Sequence, residues 1–278
     1  MKLSIYIPTL KRDELFERCR LSIERSVAAA EDVAVDHEVV VVEGVSPVSA
    51  ARNEALRRVT GDWIATVDAD DEVEETWFGE ISKAIREADR PDSDIDGIVF
   101  DMMVESGGRN RVLRYGREGI VDAATLREDV LYEMRIFGHL VRHVIRRELW
   151  NGVRFDAVQV LEDALVLPQV LSRARRIRYI DRPLYRYIRR AESLCSTTPL
   201  VEFLRISIGQ VARFGKPAAV GACIAAYNCL YDRVDVDGEA RRWIRRNLPT
   251  VLADRKVGWR WKLKFVLAAL GVIVRRPK

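Results

Sequence analysis

The stretch Trp63-Ile64-Ala65-Thr66-Val67, followed directly by Asp68-Ala69-Asp70-Asp71-Glu72, decides the fold prediction for this chain. Its first half is apolar or β-favouring and predicts a buried strand, and its second half places four acids where that strand ends. In open α/β sheets, ligands bind beyond the carboxyl ends of the strands. Clustered carboxylates at that edge need a counter-charge, and hard oxygen ligands suit Mg²⁺ or Mn²⁺. The alternative is an acidic start of the next helix, because Asp and Glu also favour a first helical turn.

Strands and helices alternate on both sides of this stretch. Leu3 to Ile7 predicts a first strand that ends at Pro8, because proline cannot donate to a ladder. Glu38 to Val42 predicts a second strand, and its valine run suits a parallel sheet covered on both faces. Helices are expected after Asp13 as a cap, from Pro47 to Val59 with Ser46 as the cap, and around Phe78 to Ala88. With a further strand at Gly97 to Val104, this series predicts an α/β nucleotide-binding sheet of the Rossmann type.

The chain after residue 104 predicts a second half and a helical extension. Gly107 to Gly119 is rich in Gly and Arg and predicts a hairpin or a mobile loop. The expected elements that follow are a helix at 123–131, strands at 139–145, 154–156, 178–180 and 184–187, and a helix at 164–174. A loop presents Glu162 and Asp163 ahead of that last helix. Beyond Pro199 the pattern is helical to the end.

Composition bounds the class of protein. The 278 residues, 48% hydrophobic and 32% charged, fit one large folded domain, or one domain with an appendage. The four cysteines lack metal-site spacing, and we interpret all four as reduced thiols of a cytoplasmic protein: Cys19, Cys195, Cys223 and Cys229. The chain opens on a strand rather than a signal peptide, and its longest uncharged apolar run, Phe265 to Val274, is too short to span a bilayer.

The net charge of +4 is unevenly distributed. Arg173 to Arg190 contains eight arginines against Asp181 alone, and Arg255 to Lys278 contains eight basic residues and no acid. Such stripes attract phosphates, anionic lipid or nucleic acid, and charge alone does not choose among them. No sequence pattern of a known nucleic-acid-binding motif supports the last of these.

Four landmarks stand in one order along the chain: Ile7-Pro8-Thr9, Ala51-Arg52-Asn53, Asp68-Ala69-Asp70-Asp71 and Leu161-Glu162-Asp163. In this order they resemble the family 2 glycosyltransferases with the GT-A fold, in particular those of bacterial polysaccharide and lipopolysaccharide synthesis. The resemblance covers about residues 2 to 195, and Tyr185-Arg186-Tyr187 followed by Ser193 is similar to the end of the family's domain.

The resemblance implies a GT-A domain at residues 1–198, with a nucleotide-sugar-binding half at 1–104 and an acceptor and catalytic half at 105–198. It implies inverting transfer of a sugar from a nucleotide-sugar, usually a UDP-sugar, to an acceptor hydroxyl. Such an acceptor would be a lipid-linked or growing cell-surface glycan. The implied cofactor is a divalent metal, Mn²⁺ or Mg²⁺, which would bridge the donor diphosphate and act as a Lewis acid.

Site residues follow by position in the family's motifs. Asp70 would hold the metal, and Asp68 would bind the metal or the ribose. Inversion needs a base on the face of the sugar opposite the leaving group, and Asp163 has the base's position, with Glu162 as its neighbour or substitute. Without the resemblance, Glu162 and Asp163 would be two acids that open a helix. The remaining nucleotide-sugar residues implied are Pro8, Thr9, Glu43, Arg52, Asn53, Ala69, Arg186, Arg189 and Arg190.

Individual assignments carry alternatives. Arg52 is expected at the uracil edge or the phosphates, or else as a solvated helix arginine. Arg186, Arg189 and Arg190 are expected to close over the diphosphate, because arginine pairs with phosphate bidentately, although most of the arginine stripe is expected at the surface. His139 is left without a role, since a lone histidine is more often structural.

The chain departs from the family at the second strand. Members commonly follow this strand with a pair of aspartates, whereas here Val42 is followed by a single acid, Glu43. The segment from Gly44 to Ala51 is also shorter than usual, which narrows the wall of the nucleotide pocket. Both differences leave the identity of the donor open.

The helical region 199–278 has two interpretations. Trp259, Trp261 and Phe265, with the cations Arg260, Lys262, Lys264, Arg275 and Arg276, suit a helix that lies in a membrane interface over residues 257–278. The alternative is a terminal helix packed on the domain. Membrane contact would make the protein peripheral at the inner face of the cell membrane.

Other functions remain open from the sequence. A sugar-nucleotide pyrophosphorylase shares the sheet type and the metal, but it would need a Gly-rich phosphate loop where this chain has Pro8-Thr9-Leu10-Lys11-Arg12. A non-catalytic subunit of a polysaccharide assembly complex is the other alternative. Neither the sequence nor its charge pattern indicates an oligomeric state.

Overall fold

The computed structural model describes residues 1–30, 34–117, 119–133, 136–158, 160–190, 193 and 197–273. The chain divides into two compact units. The first comprises Met1–Val130 and Arg135–Ser193, and the second comprises Leu131–Met134 and Leu194–Lys278.

A mixed sheet forms the centre of the first unit. Its strands are β1 (Lys2–Thr9), β2 (Asp36–Glu43), β3 (Trp63–Thr66), β4 (Glu72–Val73), β5 (Ile95–Ser106), β6 (Arg109–Leu113), β7 (Ile120–Asp122), β8 (His143–Arg146) and β9 (Arg176–Arg189). They lie in the order β2-β1-β3-β8-β5-β9-β4, with β6 paired to β5 and β7 to β9. β1 is parallel to both β2 and β3, and β8 is antiparallel to β3 and β5. The carboxyl ends of β1, β2 and β3 therefore meet at one edge.

Helices cover both faces of this sheet. The sheet is mixed rather than parallel, and β2 is its edge strand, so the valine run of β2 is only partly buried. The helices are α1 (Glu14–Ala28), α2 (Val48–Arg58), α3 (Trp77–Ala88), α4 (Ala123–Tyr132) and α5 (Glu162–Leu171), with short 3₁₀ turns at Leu140–Arg142 and Arg147–Trp150. One core places α1 and α3 against the sheet, and a second core packs α2, α4 and α5 on the opposite face. The predicted α/β fold, with helices on both faces of one sheet, is confirmed.

Local sequence signals predict the cap of α1 and the hairpin of β5 and β6 correctly, whereas the start of α2 is shifted by one residue. The carboxylate of Asp13 accepts hydrogen bonds from the N–H groups of Leu15 and Phe16, at 3.1 and 3.3 Å, and so caps α1. The Gly107 to Gly119 stretch begins with a hairpin, because β6 folds back on β5. At α2 the helix begins one residue later than expected, since Pro47 rather than Ser46 occupies the cap position.

Pro8 does not end β1, and that prediction was wrong. The residue lies inside the strand, opposite Val42 of β2. The carbonyl of Tyr6 faces β3 and accepts from the N–H of Val67 at 3.0 Å. Because successive residues of a strand alternate in direction, the nitrogen of Pro8 faces the same side as the carbonyl of Tyr6. On that side β3 has already ended at Thr66, so the ladder does not require an N–H from residue 8.

Three other predictions were wrong. The strand expected at 139–145 begins only at His143, because Leu140–Arg142 forms a 3₁₀ turn. The strands expected at 178–180 and 184–187 are one strand, β9, which continues through Pro183. It does so because irregular pairing at Phe100, Asp101 and Met102 of β5 accommodates the proline. Residues 154–156 form no strand. There the N–H and carbonyl of Phe155 bond the side chain of Asn53 rather than a neighbouring strand.

The second unit is helical. It contains α6 (Leu200–Gly209), α7 (Val211–Phe214), α8 (Lys216–Tyr231), α9 (Glu239–Ala253) and α10 (Trp259–Leu270). Helix α8 is buried along most of its length, and Phe265 of α10 packs against Tyr227 of α8 with ring centroids 6.3 Å apart. No helix in the described part of the chain combines the length and apolar character needed to cross a bilayer.

The described cysteines are free thiols. Cys19, Cys223 and Cys229 are buried, and burial raises the pKa of Cys223 to about 12 and that of Cys229 to about 11. Cys195 lies outside the described residues, as do Arg275 and Arg276 of the basic terminus.

Candidate active site

The acidic stretch follows β3 at the edge where the parallel strands end. After Thr66 the chain continues in strand direction through Val67, and a turn forms when the N–H of Asp71 donates to the carbonyl of Asp68 at 3.1 Å. The turn places Asp68 and Asp70 at the carboxyl edge of the sheet. Their positions agree with the expectation from the sequence.

Asp71 has a structural environment rather than an open one. It is buried, and its carboxylate accepts from the Tyr185 hydroxyl and from the N–H of Ile188, both at 2.8 Å. Burial raises the pKa of Asp71 well above its usual range, and the nearby charges of Asp68 and Asp70 add to this. Asp71 therefore links the acidic turn to β9 by two hydrogen bonds.

Asp68 and Asp70 are the open members of the cluster. Their side chains are 30% and 37% exposed. The Asp68 carboxylate accepts a hydrogen bond from Nη2 of Arg52 at 2.9 Å. The backbone N–H of Asp68 donates to the Tyr185 hydroxyl at 3.1 Å. The Asp70 carboxylate forms an ion pair with Arg190. Burial raises the pKa of Asp68, and the Arg52 charge opposes that rise.

Arg52 is buried and connects the two acidic landmarks. It is 3% exposed, so the interpretation as a solvated helix arginine was wrong. Its Nε donates to Oε1 of Glu162 at 3.1 Å, and Nη1 donates to the Thr66 hydroxyl at 3.1 Å, in addition to the bond to Asp68. Burial opposes its charge, but the neighbouring carboxylates raise its pKa well above the ordinary value. The guanidinium is therefore a permanent cation beneath the site.

Glu162 and Asp163 form the first turn of α5 rather than a loop ahead of it, so that prediction was wrong. Their side chains have different partners. Glu162 is buried, with its carboxylate bonded to Arg52. Asp163 is partly exposed and accepts from the N–H groups of Ala164 at 2.7 Å and Leu140 at 3.4 Å. Burial raises the pKa of Asp163, whereas the Arg52 charge and these N–H groups lower it. Of the two acids, Asp163 is the one whose carboxylate is available to a substrate.

As metal ligands, the carboxylate oxygens of Asp68 and Asp70 fit Mg²⁺ or Mn²⁺. Mg²⁺ is commonly held by one or two carboxylates, with water and substrate phosphates completing its coordination. Asp68 and Asp70 provide two partly exposed carboxylates at one turn. Over the residues that the structure describes, no group of three metal-binding side chains occurs. Water or substrate phosphates would supply the remaining ligands of a metal held by these two carboxylates.

The other predicted nucleotide-binding residues have mixed positions. Pro8 is buried in β1, and Ala69 lies between the two open aspartates. The hydroxyl of Thr9 bonds the carbonyl of Lys11 at 2.7 Å. Glu43 is exposed at the end of β2 and pairs with Arg12 at 3.0 Å. The side-chain amide of Asn53 donates to the carbonyl of Phe155 and accepts from the N–H of the same residue, so Asn53 positions that segment.

Most of the arginine stripe is neutralised by carboxylates. Ion pairs of 2.9 to 3.5 Å join Arg175 to Asp96, Arg176 to Asp94, Arg178 to Glu87, Arg182 to Glu80 and Arg186 to Glu74. Arg186 is therefore directed to Glu74 rather than to the acidic turn. Arg189 is exposed and, in the described part of the chain, forms no ion pair. Arg190 alone of the three predicted diphosphate arginines contacts the turn, through Asp70.

Three residues that contribute to the site were not predicted from the sequence. Tyr185 holds the acidic turn, Thr66 bonds Arg52, and the backbone N–H of Leu140 reaches Asp163. The presence of Asp71, a third acid directly after Asp70, was the available signal for an additional, structural role. The contact from Leu140 had no signal in the sequence, because it depends on the loop that packs Gly138 against Ala164.

The chain belongs to glycosyltransferase family 2. The model of "Glycosyl transferase family 2" matches residues 4–147, which is more than half of the chain and includes β1, Arg52 and the acidic turn. Among solved structures, S. aureus TarS residues 1–349 in complex with UDP-GlcNAc is similar with a TM-score of 0.64 and 17% identity, over 97% of this chain and 88% of that one. The structure of TarS residues 1–349 alone gives a TM-score of 0.62 and 15% identity, over 97% and 87%. A comparison with curated proteins found no match. These likenesses confirm the family and the GT-A fold.

Proposed function

We propose that this glycosyltransferase moves a sugar from a nucleotide-sugar, with a UDP-sugar as the first candidate, to an acceptor hydroxyl with inversion. The observation that carries the proposal is the buried link Asp68–Arg52–Glu162, which joins the acidic turn to the start of α5, where Asp163 is open. The S. aureus TarS structure holds UDP-GlcNAc, which favours testing UDP first. The acceptor we propose is a lipid-linked or growing cell-surface glycan.

Asp163 is the proposed general base. Its carboxylate is partly exposed, so it can take the proton from an acceptor hydroxyl. The N–H groups of Leu140 and Ala164 fix its orientation. Glu162 supports the base indirectly, because its bond to Arg52 fixes the first turn of α5.

Asp68 and Asp70 are the residues we propose for the divalent metal. When bound, Mg²⁺ or Mn²⁺ neutralises the charge that develops on a diphosphate leaving group. Arg52 keeps Asp68 in place and favours its ionised form, and Arg190 supplies a cation beside Asp70 that can turn to the diphosphate. Pro8, Thr9 and Glu43 lie at the ends of β1 and β2, where a nucleoside would be held.

Calorimetric titration with UDP, GDP, dTDP and CDP, with and without Mn²⁺, tests the donor and metal proposals together. We expect metal-dependent binding of one nucleotide by the wild type, and its loss in Asp70→Asn. Asp92→Asn removes one exposed acid from the loop between α3 and β5, and it should bind as the wild type does. Absence of nucleotide binding with either metal would refute the proposal.

Product analysis separates this function from nucleotidyl transfer. Incubation with the nucleotide-sugar should release the nucleoside diphosphate and no pyrophosphate. Asp163→Asn should keep nucleotide affinity while slowing release by about 10²–10⁴-fold, because only the proton-transfer step is lost.

We also propose peripheral contact with an anionic membrane through α10. Phe265 and Ala268 pack inside the second unit, whereas Trp259, Leu263 and Leu270 are 70%, 50% and 73% exposed. The helix therefore both packs and presents an apolar face, beside the cations Arg260 and Lys262. Trp259→Ser/Leu263→Ser should reduce co-sedimentation with phosphatidylglycerol vesicles. Equal sedimentation of this variant and the wild type would refute the membrane contact.

A further inference from the structure

The second half of β5 forms a three-stranded ribbon with β6 and β9 that continues past the acidic turn. Register places Val104 between Arg111 of β6 and Tyr187 of β9. In the next row, Ser106 lies between Arg109 and Arg189. Because paired residues of neighbouring strands project to the same side, these six residues share one face of the ribbon.

This face connects to the proposed base. Tyr187 contacts the ring of His139 with centroids 6.1 Å apart. The residue after His139, Leu140, donates its N–H to Asp163. Tyr185 precedes Tyr187 by two residues and projects from the same side of β9. Its hydroxyl accepts from the N–H of Asp68 and donates to the carboxylate of Asp71 in the acidic turn. A chain bound along the ribbon would therefore lead towards the proposed catalytic residues.

The charges on this face are not neutralised. Arg109, Arg111 and Arg189 are exposed, and none forms an ion pair with a carboxylate in the part of the chain that the structure describes. By contrast, the four other arginines of β9 and Arg175, which directly precedes the strand, all pair with acids. Glu105 projects to the opposite side by strand alternation. Three unpaired guanidinium groups on one face favour an anionic ligand over a neutral one.

We propose that the acceptor is a phosphodiester-bearing chain and that Arg109, Arg111 and Arg189 bind its phosphates. This rests on the proposed function, since it names the acceptor of that same site. Guanidinium groups bond phosphate oxygens bidentately, and the Ser106 hydroxyl adds a donor between Arg109 and Arg189.

Binding of a labelled inorganic polyphosphate by fluorescence anisotropy tests the surface without requiring transfer. The test variant is Arg109→Gln/Arg111→Gln, which leaves Arg189 in place. The matched control is Arg25→Gln/Arg86→Gln, which removes two exposed arginines that have no ion pair in the described residues of α1 and α3. We expect salt-dependent binding by the wild type, a loss of at least about tenfold in the test variant, and a change below twofold in the control.

Several outcomes would overturn the proposal. These are unchanged affinity in Arg109→Gln/Arg111→Gln, equal losses in both double variants, or tighter binding of polygalacturonate or of single-stranded DNA than of polyphosphate. Calorimetry with UDP and Mn²⁺ on the same proteins keeps the two hypotheses apart. Loss of polyphosphate binding with normal UDP binding supports the surface, whereas a wild type that binds polyphosphate and no nucleotide contradicts the transferase function instead.

Discussion

Arg52 and Glu162 are 110 positions apart in the sequence, and the guanidinium of one donates to the carboxylate of the other at 3.1 Å. Both side chains are buried, at 4% and 8% exposure. The same guanidinium bonds Asp68 and Thr66, so one cation organises both acidic landmarks of the chain. In a buried site, removing one partner leaves the other as an uncompensated charge, and this makes the pair sensitive to substitution.

Arg52→Met should destabilise the protein by about 3–5 kcal/mol, because it leaves Glu162 and Asp68 without their cation. Chemical denaturation of Arg52→Met, Glu162→Gln and the double variant should give a coupling energy of about 1–3 kcal/mol. The exposed pair Arg57 and Glu54 provides the control cycle, with coupling below about 1 kcal/mol. Additive effects of Arg52→Met and Glu162→Gln would contradict a direct link.

The pH profile should identify Asp163 as the base. Burial raises its pKa, so the base becomes protonated, and catalysis falls, at a higher pH than for an ordinary aspartate. Slow hydrolysis of the nucleotide-sugar, with water in place of the acceptor, can be followed by release of nucleoside diphosphate. We expect its rate to decline with falling pH while nucleotide binding persists. An acid limb at or below the pKa of a free aspartate, about 3.9, would argue against this assignment.

Arg190 and a metal should compete for Asp70. Arg190→Gln removes the cation paired with that carboxylate, so Mn²⁺ alone should bind more tightly to the variant. In the presence of UDP the effect should reverse, because the diphosphate loses an arginine. Calorimetry with Mn²⁺, and then with UDP at fixed Mn²⁺, measures both. The control is Arg25→Gln, and identical behaviour of the two variants would disprove the competition.

Glu133 should make stability depend on pH. Burial raises its pKa from 4.5 to about 7, so the folded state retains a proton that the unfolded chain releases at lower pH. The stability from this group is complete below about pH 4.5 and is lost as pH rises through about 7. Between pH 5 and 8 the wild type should lose on the order of 1–3 kcal/mol more than Glu133→Gln.

Denaturation of Glu133→Gln at both pH values checks this expectation. Glu75→Gln, at an exposed carboxylate, is the control and should keep the wild-type pH dependence. If Glu133→Gln loses as much stability as the wild type between pH 5 and 8, the carboxyl group is not the source.

The sequence by itself determined the α/β class of the fold and the location of the acids. Runs of apolar and β-favouring residues, and the stop at the acidic turn, were enough to predict β1, β2, β3 and β5, because the strand preference of such runs is a local property of the sequence. The order of the four landmarks was enough to predict the family. Local signals also gave the cap at Asp13 and the hairpin after Gly107.

Only the tertiary structure decided which charged residues face each other. Arg52 reads as an ordinary helix arginine until packing buries it against Glu162. The arginines of β9 form one basic stripe in sequence, but pairing with distant acids neutralises most of them and leaves Arg189 exposed beside Arg109 and Arg111. Pro8 could remain in β1 because β3 ends at Thr66, so no ladder hydrogen bond from residue 8 to β3 is required. Ion pairing and strand register depend on residues far apart in the chain, and local sequence patterns do not contain that information.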